Sequence, residues 1–329
     1  MKKGFVTLLA IFLVTYIIFI NLDHITSTYT SAVDSVNIYN ASISPGLLKQ
    51  YYGNNSIKKK EAESEIKKIC LNNLGYSNWL NYLDYIDLKI FNSNVLPNAK
   101  NELIIALNLS KDLAVVCIFN SNDQSYNFTE KIENLLPIET IKFIQIPDKE
   151  YNFLLTYQIA DERLGAYFYE KFLEIFMYDT QGFKKKLKEV VFYEEIFKSI
   201  WIDETAPKDE WNKNVIINSI VFIENAKLHI DFSGARNKYK AYGFTTIPKS
   251  SDFKLIDRYS YQYKYFWNKK LERFSRRKNN IIFNNTPVSI IGDSETDHKN
   301  LHGFSKNKYK LLTSSDRILY IDKRLIDEQ

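Results

Sequence analysis

From residue 75 onward, apolar residues occur in short runs that alternate in part with polar residues. A spacing of two places side chains in turn on the two faces of a β-strand. No amphipathic helical pattern lies between the runs, which argues against a parallel α/β fold. The pattern therefore predicts a mostly β fold built from antiparallel units. The runs are 83–90, 103–109, 113–119, 141–146, 153–159, 172–178, 190–193, 197–202, 215–223, 227–232 and 259–267.

Two parts of this β region are similar to each other. Ile118-Phe119 precedes a polar loop and a segment that ends in the octet 139–146. Ile175-Phe176 likewise precedes a polar loop and a segment that ends in the octet 195–202. The octets share Glu, Lys and two Ile at equivalent positions, and the spacing of about 56 residues is typical of repeated β units. We expect repeated antiparallel β units, arranged as a partial propeller-like structure or as stacked sheets.

The N-terminus has the pattern of a membrane anchor. Lys2 and Lys3 precede an uncharged apolar run, residues 5–20, and no small-residue cleavage site directly follows it. The run is at the short end for a helix that spans a bilayer. We predict an uncleaved signal anchor over residues 1–22, which makes this a single-pass cell-membrane protein with its body outside the cytoplasm. A cleaved signal peptide and a buried core helix are the alternatives.

A tether and one helix are predicted between the anchor and the strands. Residues 23–46 are rich in Ser, Thr, Asn and Ala and end at a predicted turn, Pro45-Gly46. The helix covers 56–74, with Ser56 as N-cap and Gly75 after its last residue. The predicted apolar stripe of this helix consists of Ile66, Ile69, Cys70 and Leu74.

The predicted β-rich domain outside the cytoplasm spans residues 47–329. It contains the helical segment, repeated β units over about 80–275, and a peripheral C-terminal segment, 280–329, with a last strand at 317–321. The net charge of +5 is too weak to indicate nucleic acid as a partner. Two cysteines, Cys70 and Cys117, cannot form a disulfide framework. We favour two buried thiols over a single bridge.

One segment resembles a known group of proteins. Leu164-Gly165-Ala166-Tyr167 and the hairpin pattern of residues 172–183 resemble uncharacterised exported proteins of clostridia and bacilli. The region 103–202 is also similar to the blades of integrin-α-like propellers. Calcium-binding blades of that kind carry an Asp-x-Asp-x-Asp-Gly loop, which this region lacks. The resemblance therefore implies propeller-like blades but no calcium site and no activity.

The densest set of metal-ligand residue types lies at 293–302. Asp293, Glu295 and Asp297 have the first spacings of a calcium loop, but its sixth and twelfth positions are occupied by His298 and Phe304. His298 and His302 would share a face only on a helix, and Gly303 indicates a loop instead. We interpret the segment as a solvated acidic loop, and we predict no metal site and no cofactor.

An aromatic strip and a basic run are the best candidates for ligand contact. Alternate residues from Tyr259 to Trp267 are all aromatic and would share one face of a strand, where they could stack on sugar rings or on a proline-rich peptide. The alternative is that this face belongs to the core. The run 269–278 has six basic residues and one acidic residue, and could contact a polyanion. The predicted ligand-binding residues are Tyr263, Tyr265, Trp267, Arg273, Arg276, Arg277 and Lys278.

No motif predicts catalytic residues. The sequence has no nucleophile-elbow serine motif, no zinc-protease helix motif and no phosphate-binding glycine loop. The sequence does not identify a function, and our leading hypothesis is a membrane-anchored interaction protein that binds a cell-wall polymer or a protein partner. One alternative is an exported cell-wall hydrolase with dispersed carboxylates, such as Glu194 and Glu195. Another is an assembly protein that pairs through an exposed sheet edge.

Overall fold

The structure is a computed structural model that describes residues 41–98, 100–122, 124–163, 167–224, 228–278, 281–284, 286–293, 307–313 and 317–327. The predicted anchor and most of the predicted tether lie outside these residues. Within the described part of the chain, no helix is long and apolar enough to cross a membrane.

Three antiparallel sheets account for most of the described residues. Sheet 1 contains β1 (Asp87–Ser93), β2 (Glu102–Ser110), β3 (Leu113–Ser121) and β4 (Tyr126–Leu135). Sheet 2 contains β5 (Ile138–Gln145), β6 (Asn152–Asp161), β7 (Phe168–Asp179), β8 (Gly182–Lys198), β9 (Trp211–Ile223), β10 (His229–Ala241), β11 (Lys254–Asn268) and β12 (Arg273–Ser275). Sheet 3 contains β13 (Ile281–Phe283), β14 (Thr286–Asp293), β15 (Lys308–Thr313) and β16 (Ile318–Asp322). The helices are α1 (Pro45–Tyr51), α2 (Ser56–Leu74) and α3 (Arg324–Asp327), with 3₁₀ segments at Ser77–Tyr85, Ser199–Trp201 and Ser250–Asp252.

Each sheet is a meander in which every strand pairs antiparallel with its neighbours in the sequence. The prediction of a mostly β, antiparallel fold is confirmed. The described strands close into neither a barrel nor a propeller.

The predicted helix is present with small changes at its ends. α2 buries its predicted stripe and ends at Gly75, whose φ of 73° is the left-handed conformation that glycine adopts readily. Its N-cap is Asn55 rather than Ser56, because the Asn55 side chain accepts hydrogen bonds from the first turn. Upstream, the backbone of Ile43 pairs with Tyr126, and Pro45 begins α1 instead of a turn. The folded body therefore begins before the predicted boundary at residue 46.

The predicted sequence repeat is not a structural repeat. The octet 139–146 lies almost wholly in β5, whereas the octet 195–202 leaves β8 after Lys198 and enters a 3₁₀ segment. Pro137 separates β4 from β5 in the first copy, because proline has no N–H for the strand ladder. The second copy has no such interruption, and β8 continues over 17 residues. The shared residues reflect a chain rich in Ile, Lys and Glu.

The central strands of sheet 1, β2 and β3, are buried on both faces. One face packs against α2 through residues such as Ile105 and Cys117, and the other packs against β5–β7 through residues such as Ile104 and Ile118. Strands covered on both sides have no polar face. This explains why β2 and β3 have nearly continuous apolar sequences.

Sheet 2 curls so that its two ends meet. Phe153 on β6 contacts Trp267 on β11 with ring centroids 4.8 Å apart, and Phe274 on β12 at 5.5 Å, although four strands separate β6 from β11. An ion pair between Lys149 and Glu272, 2.5 Å apart, joins the turns beside these strands. The concave face of the curl encloses one apolar core.

Sheets 1 and 2 are joined by a side-chain clamp at Asn108. Its Nδ2 donates to the carbonyl oxygen of Ile138 at 3.0 Å, and its Oδ1 accepts from the amide of Ile138 at 2.8 Å. Ile138 is only 1% exposed, and its carbonyl oxygen also accepts from Lys89 Nζ at 2.7 Å, so it is the buried Ile138 amide that depends on Asn108.

We expect Asn108→Ala to lower the free energy of unfolding by about 1–3 kcal/mol, because the Ile138 amide loses its acceptor in a buried position. Urea unfolding followed by circular dichroism measures the effect. Asn92→Ala is the matched control, since Asn92 is an exposed asparagine on the neighbouring strand β1. Equal stability of the two variants would contradict the clamp.

Candidate binding site

A ladder of tyrosines runs along β11 on the concave face of sheet 2. We call Tyr259, Tyr261, Tyr263 and Tyr265 the tyrosine ladder. Successive rings lie 6.0, 5.9 and 5.7 Å apart between centroids. The prediction that these residues share one face is confirmed by the register of β11 against β10.

Burial increases steadily along the ladder. Tyr259 is 46% exposed, whereas Tyr265 is fully buried. Tyr263 stacks on Phe232 of β10, with centroids 5.1 Å apart and rings nearly parallel. One end of the ladder therefore belongs to the core and the other end to the surface.

Glu189 on β8 lies at the buried end of the ladder. Its carboxylate accepts a hydrogen bond from the Tyr265 hydroxyl at 2.5 Å and one from the Tyr263 hydroxyl at 3.3 Å. The Tyr265 hydroxyl also lies 2.6 Å from the carbonyl oxygen of Ile291. Arg276 Nε donates a hydrogen bond to the Tyr265 hydroxyl at 3.3 Å. This network ties β8, β11 and sheet 3 together.

Burial is the largest cause that raises the pKa of Tyr263 and of Tyr265 above the ordinary tyrosine value. The nearby charge of Glu189 raises both pKa values further, because a second negative charge would be repelled. Both hydroxyls are therefore hydrogen-bond donors at neutral pH.

The predicted basic run does not form one surface patch. Arg276 lies over the Tyr263 ring, 3.8 Å from its centroid, and Arg277 contacts Tyr309 of β15. Arg273 donates to the carbonyl oxygen of Thr313 in β15. Lys278 is exposed and lies 5.1 Å from the Phe266 ring centroid, on the other face of β11.

Most of the predicted contact residues thus contact other parts of the fold. Tyr265 is fully buried, and Tyr263 and Trp267 are largely covered, because the curl of sheet 2 folds this part of β11 inward. Arg273 contacts Thr313 of sheet 3, and Arg276 lies over the Tyr263 ring of β11. Of the predicted set, Lys278 is the residue that the structure leaves exposed.

Gly234 on β10 makes room for the middle of the ladder. A Cβ atom at this position would lie 1.9 Å from Asn218 Oδ1 and 2.9 Å from the Tyr261 ring. The Tyr261 hydroxyl donates to the same Asn218 oxygen at 2.7 Å. The absence of a side chain at 234 therefore allows Tyr261 to cross β10 and reach β9.

Towards the exposed end of the ladder, β11 is an edge strand. β12 pairs only with Phe266–Asn268, so among the described residues nothing pairs with the outer side of Lys254–Gln262. We call Lys254–Gln262 the free edge. Every residue from Lys254 to Ser260 is exposed, including Leu255, Ile256 and Tyr259.

Sequence reasoning missed the first half of this edge. It began the strand at Tyr259, because Asp257-Arg258 interrupts the apolar pattern and Ile256 breaks the alternation. In the structure Ile256 is an extra residue in a bulge between β10 and β11, where the register shifts. The apolar pair Leu255-Ile256 next to an alternating aromatic run was the available signal.

The acidic segment and the His229–Asp231 pair give little support for a metal site or a catalytic site. Residues 294–306 of the acidic segment lie outside the described residues. Within the described part, no group of three or more His, Cys, Asp or Glu side chains could hold a metal ion. His229 Nε2 lies 3.6 Å from Asp231 Oδ1, but Lys264 already pairs with Asp231 at 2.8 Å.

Comparisons with known proteins do not assign this chain to a family. No protein-family model and no solved structure matches the chain. A segment of 230 residues is 25% identical to the DNA-directed RNA polymerase subunit beta'' of Oedogonium cardiacum. That match covers 69% of this chain but spans only 7% of the length of that subunit. The identity and the coverage are too low to assign the chain to that family.

We expect Gly234→Ala to destabilise the fold by roughly 1–3 kcal/mol, because its new methyl group displaces Asn218 and the Tyr261 ring. Chemical unfolding of the full chain measures this change. Ser233→Ala, at the adjacent exposed position of β10, should have little effect. If both variants unfold at the same urea concentration, the close approach of Asn218 and Tyr261 to Gly234 does not contribute to the stability of the fold.

Stability should also fall as pH rises above about 10, where tyrosines of the unfolded chain ionise. Tyr263 and Tyr265 then stay protonated only in the folded state, so the unfolded state binds fewer protons and becomes favoured. We expect the loss of stability between about pH 8 and pH 10.5 to be smaller in Tyr263→Phe/Tyr265→Phe than in the unmodified chain. Urea midpoints at both pH values test this. Tyr85→Phe, which changes a side chain that is 83% exposed, is the control and should behave like the unmodified chain.

Proposed function

We propose that this protein is a membrane-anchored interaction protein that binds an extended segment of a partner protein along the free edge of β11. The added segment becomes a further strand of sheet 2. The observation that carries this proposal is the free edge itself, whose outer side pairs with no strand in the described part of the chain and whose apolar side chains are exposed.

The edge is long enough for specific recognition. Lys254–Gln262 extends over roughly 30 Å at about 3.4 Å per residue. Alternate backbone N–H and C=O groups of an edge strand are directed away from the sheet and can pair with a new strand. Main-chain hydrogen bonds would supply affinity, and side chains on the two faces would supply specificity.

The composition of the edge is unusual for a strand left in water. Leu255 is 51% exposed, Ile256 53% and Tyr259 46%. Soluble proteins usually protect such edges with charged residues, proline or a covering segment. Here the bulge at Ile256 interrupts the edge in part, but three large apolar side chains remain in contact with solvent. A bound strand would cover them.

The charged side chains of β11 indicate which kind of partner strand would bind to the free edge. Arg258 lies on the face of β11 opposite to the tyrosine ladder and is exposed. Lys264 shares that face, and its charge is already balanced by Asp231 at 2.8 Å. A partner strand would therefore place an acidic side chain opposite Arg258 and a β-branched or aromatic side chain beside Tyr259 and Tyr261.

We infer the location of the body from the N-terminal sequence. Lys2 and Lys3 before the apolar run 5–20 favour an anchor with the remaining chain outside the cytoplasm. The partner is accordingly an exported or surface protein. Binding of a wall polymer or lipid through the basic run is less well supported, because Arg273, Arg276 and Arg277 each contact residues within the fold.

A charge exchange tests the edge directly. The probe is a labelled nine-residue peptide in which valine alternates with threonine and one central glutamate, and a second peptide has lysine in place of glutamate. We expect the full chain in detergent micelles to bind the glutamate peptide, and Arg258→Glu to weaken that binding about fivefold while it strengthens binding of the lysine peptide. Fluorescence anisotropy measures both affinities.

Lys208→Glu is the matched control, because Lys208 is an exposed cation in the loop before β9 and is not part of β11. It makes the same change of charge and should leave both affinities within about twofold. Equal responses of the two variants would show that only net charge matters. Self-association that depends on concentration and is abolished by Arg258→Glu would instead identify a second copy of this chain as the occupant of the edge.

A further inference from the structure

Two aromatic rings lie parallel to each other at the surface, where β8 leads into the 3₁₀ segment Ser199–Trp201. The Trp201 ring stacks on the Tyr167 ring, with centroids 6.3 Å apart and an angle of 10° between the ring planes. A third ring, that of Trp211 on β9, meets Trp201 in a T-shaped contact at 5.6 Å. Trp201 is nevertheless 57% exposed, whereas Trp211 is only 2% exposed. We call Trp201 and Tyr167 the aromatic platform.

The backbone of Tyr167 is held in a conformation that tyrosine rarely adopts. Its φ of 51° lies in the left-handed region, which a residue with a bulky side chain enters only at an energetic cost. The amide of Ile196 on β8 donates to the Tyr167 carbonyl oxygen at 3.0 Å, which ties the strained residue to the strand that leads to Trp201. Strain of this kind is concentrated at functional sites, where the surrounding structure maintains it. Because the two rings are already in place, a ligand does not have to order them when it binds.

Charged residues of both signs flank Trp201 in the chain. On one side, Lys198 places its Nζ 5.0 Å from the centroid of the Trp211 ring, which itself contacts Trp201. On the other side, Asp203 is exposed and accepts hydrogen bonds from the amide and the hydroxyl of Thr205 at 2.9 and 2.6 Å. These hydrogen bonds lower the pKa of the Asp203 carboxyl group, so it is an ionised acceptor at neutral pH.

These flanking charges indicate the chemical class of ligand that suits the aromatic platform. A cation on the open face of Trp201 would be repelled by the Lys198 ammonium group, and an anion would be repelled by the carboxylates of Asp203 and Glu204. A wholly apolar ligand would cover ionised groups without pairing them, which is unfavourable. A sugar ring avoids all three penalties, because its C–H face packs on an aromatic ring while its hydroxyl groups donate to carboxylates and accept from ammonium groups.

We propose that the aromatic platform binds a pyranose ring of a neutral oligosaccharide or polysaccharide. Trp201 provides the stacking surface, Tyr167 and Trp211 hold its ring in place, and Asp203 accepts hydrogen bonds from hydroxyl groups of the sugar. None of these residues belongs to the free edge of β11, so this proposal does not depend on the partner strand proposed there. The protein would then have one site for a glycan and another for a protein segment.

The test is isothermal titration calorimetry of the full chain in micelles of a detergent that has no sugar headgroup. The probes are the β-linked hexamers of N-acetylglucosamine and of glucose, with tetramethylammonium chloride as a cationic competitor. We expect at least one hexamer to bind and tetramethylammonium to leave that binding unchanged. Trp201→Ala should weaken hexamer binding about tenfold, because the stacking ring is lost, whereas Trp201→Phe should retain most of the affinity. Tyr167→Gly, which adopts a positive φ without strain, should also weaken binding because Trp201 loses its supporting ring.

Tyr85→Ala is the matched control, because Tyr85 is an aromatic residue outside the platform and is 83% exposed. It should leave the hexamer affinity unchanged, and so should Arg258→Glu, which alters only the free edge. Thermal unfolding of each variant establishes that a change in affinity is not a loss of the fold. The absence of binding by both hexamers at millimolar concentrations, an unchanged affinity in Trp201→Ala, or an equal loss in Tyr85→Ala would each overturn the proposal. Displacement of a bound hexamer by tetramethylammonium would overturn the assignment to a neutral sugar.

Discussion

The contact of Phe153 with Trp267 and Phe274 decides the shape of sheet 2. An antiparallel meander of eight strands has no intrinsic reason to bring its first and last strands together, although its twist favours curvature. Here three aromatic rings from opposite ends meet over one apolar core, and each such pair contributes about 0.5–1.5 kcal/mol beyond the area it buries. Because β5 and β12 do not pair with each other, the curl stays open and sheet 2 keeps its edges.

The same curl gives β11 two different environments. Its C-terminal half lies inside the curl, where Tyr263 and Tyr265 need hydrogen-bond partners and find them in Glu189 and Arg276. Its N-terminal half extends past the short strand β12, so that its outer side has no partner among the described residues. A buried hydroxyl without an acceptor would cost about 1–3 kcal/mol, which explains the dense network at one end. The exposed end has no comparable requirement, and there the side chains remain available to a partner.

Sheet 1 follows a different principle, since both of its faces are covered. α2 covers one face and sheet 2 the other, and this leaves β2 and β3 in the centre of a three-layer arrangement. Polar groups in such a position must be paired, as Asn108 is with Ile138. Cys70 and Cys117 are buried in the same core cluster, because the buried stripe of α2 packs against this sheet. A fully covered pair of strands and an exposed strand edge thus lie in two sheets that are organised in different ways.

The sequence alone determined the local features of this protein. The 3.6-residue stripe and Gly75 were sufficient to predict α2, and the alternation of aromatic residues was sufficient to place the tyrosine ladder on one face. Periodicity identifies the face on which a side chain lies, but it does not identify what covers that face. The tertiary structure alone decided that Tyr265 is buried while Tyr259 is exposed, and that Arg273 and Arg276 contact the interior of the fold. It also decided that β11 begins at Lys254, because the pairing with β10 continues through a bulge that interrupts the sequence pattern. These features depend on contacts between segments far apart in the chain, and a pattern read over a few residues contains no information about them.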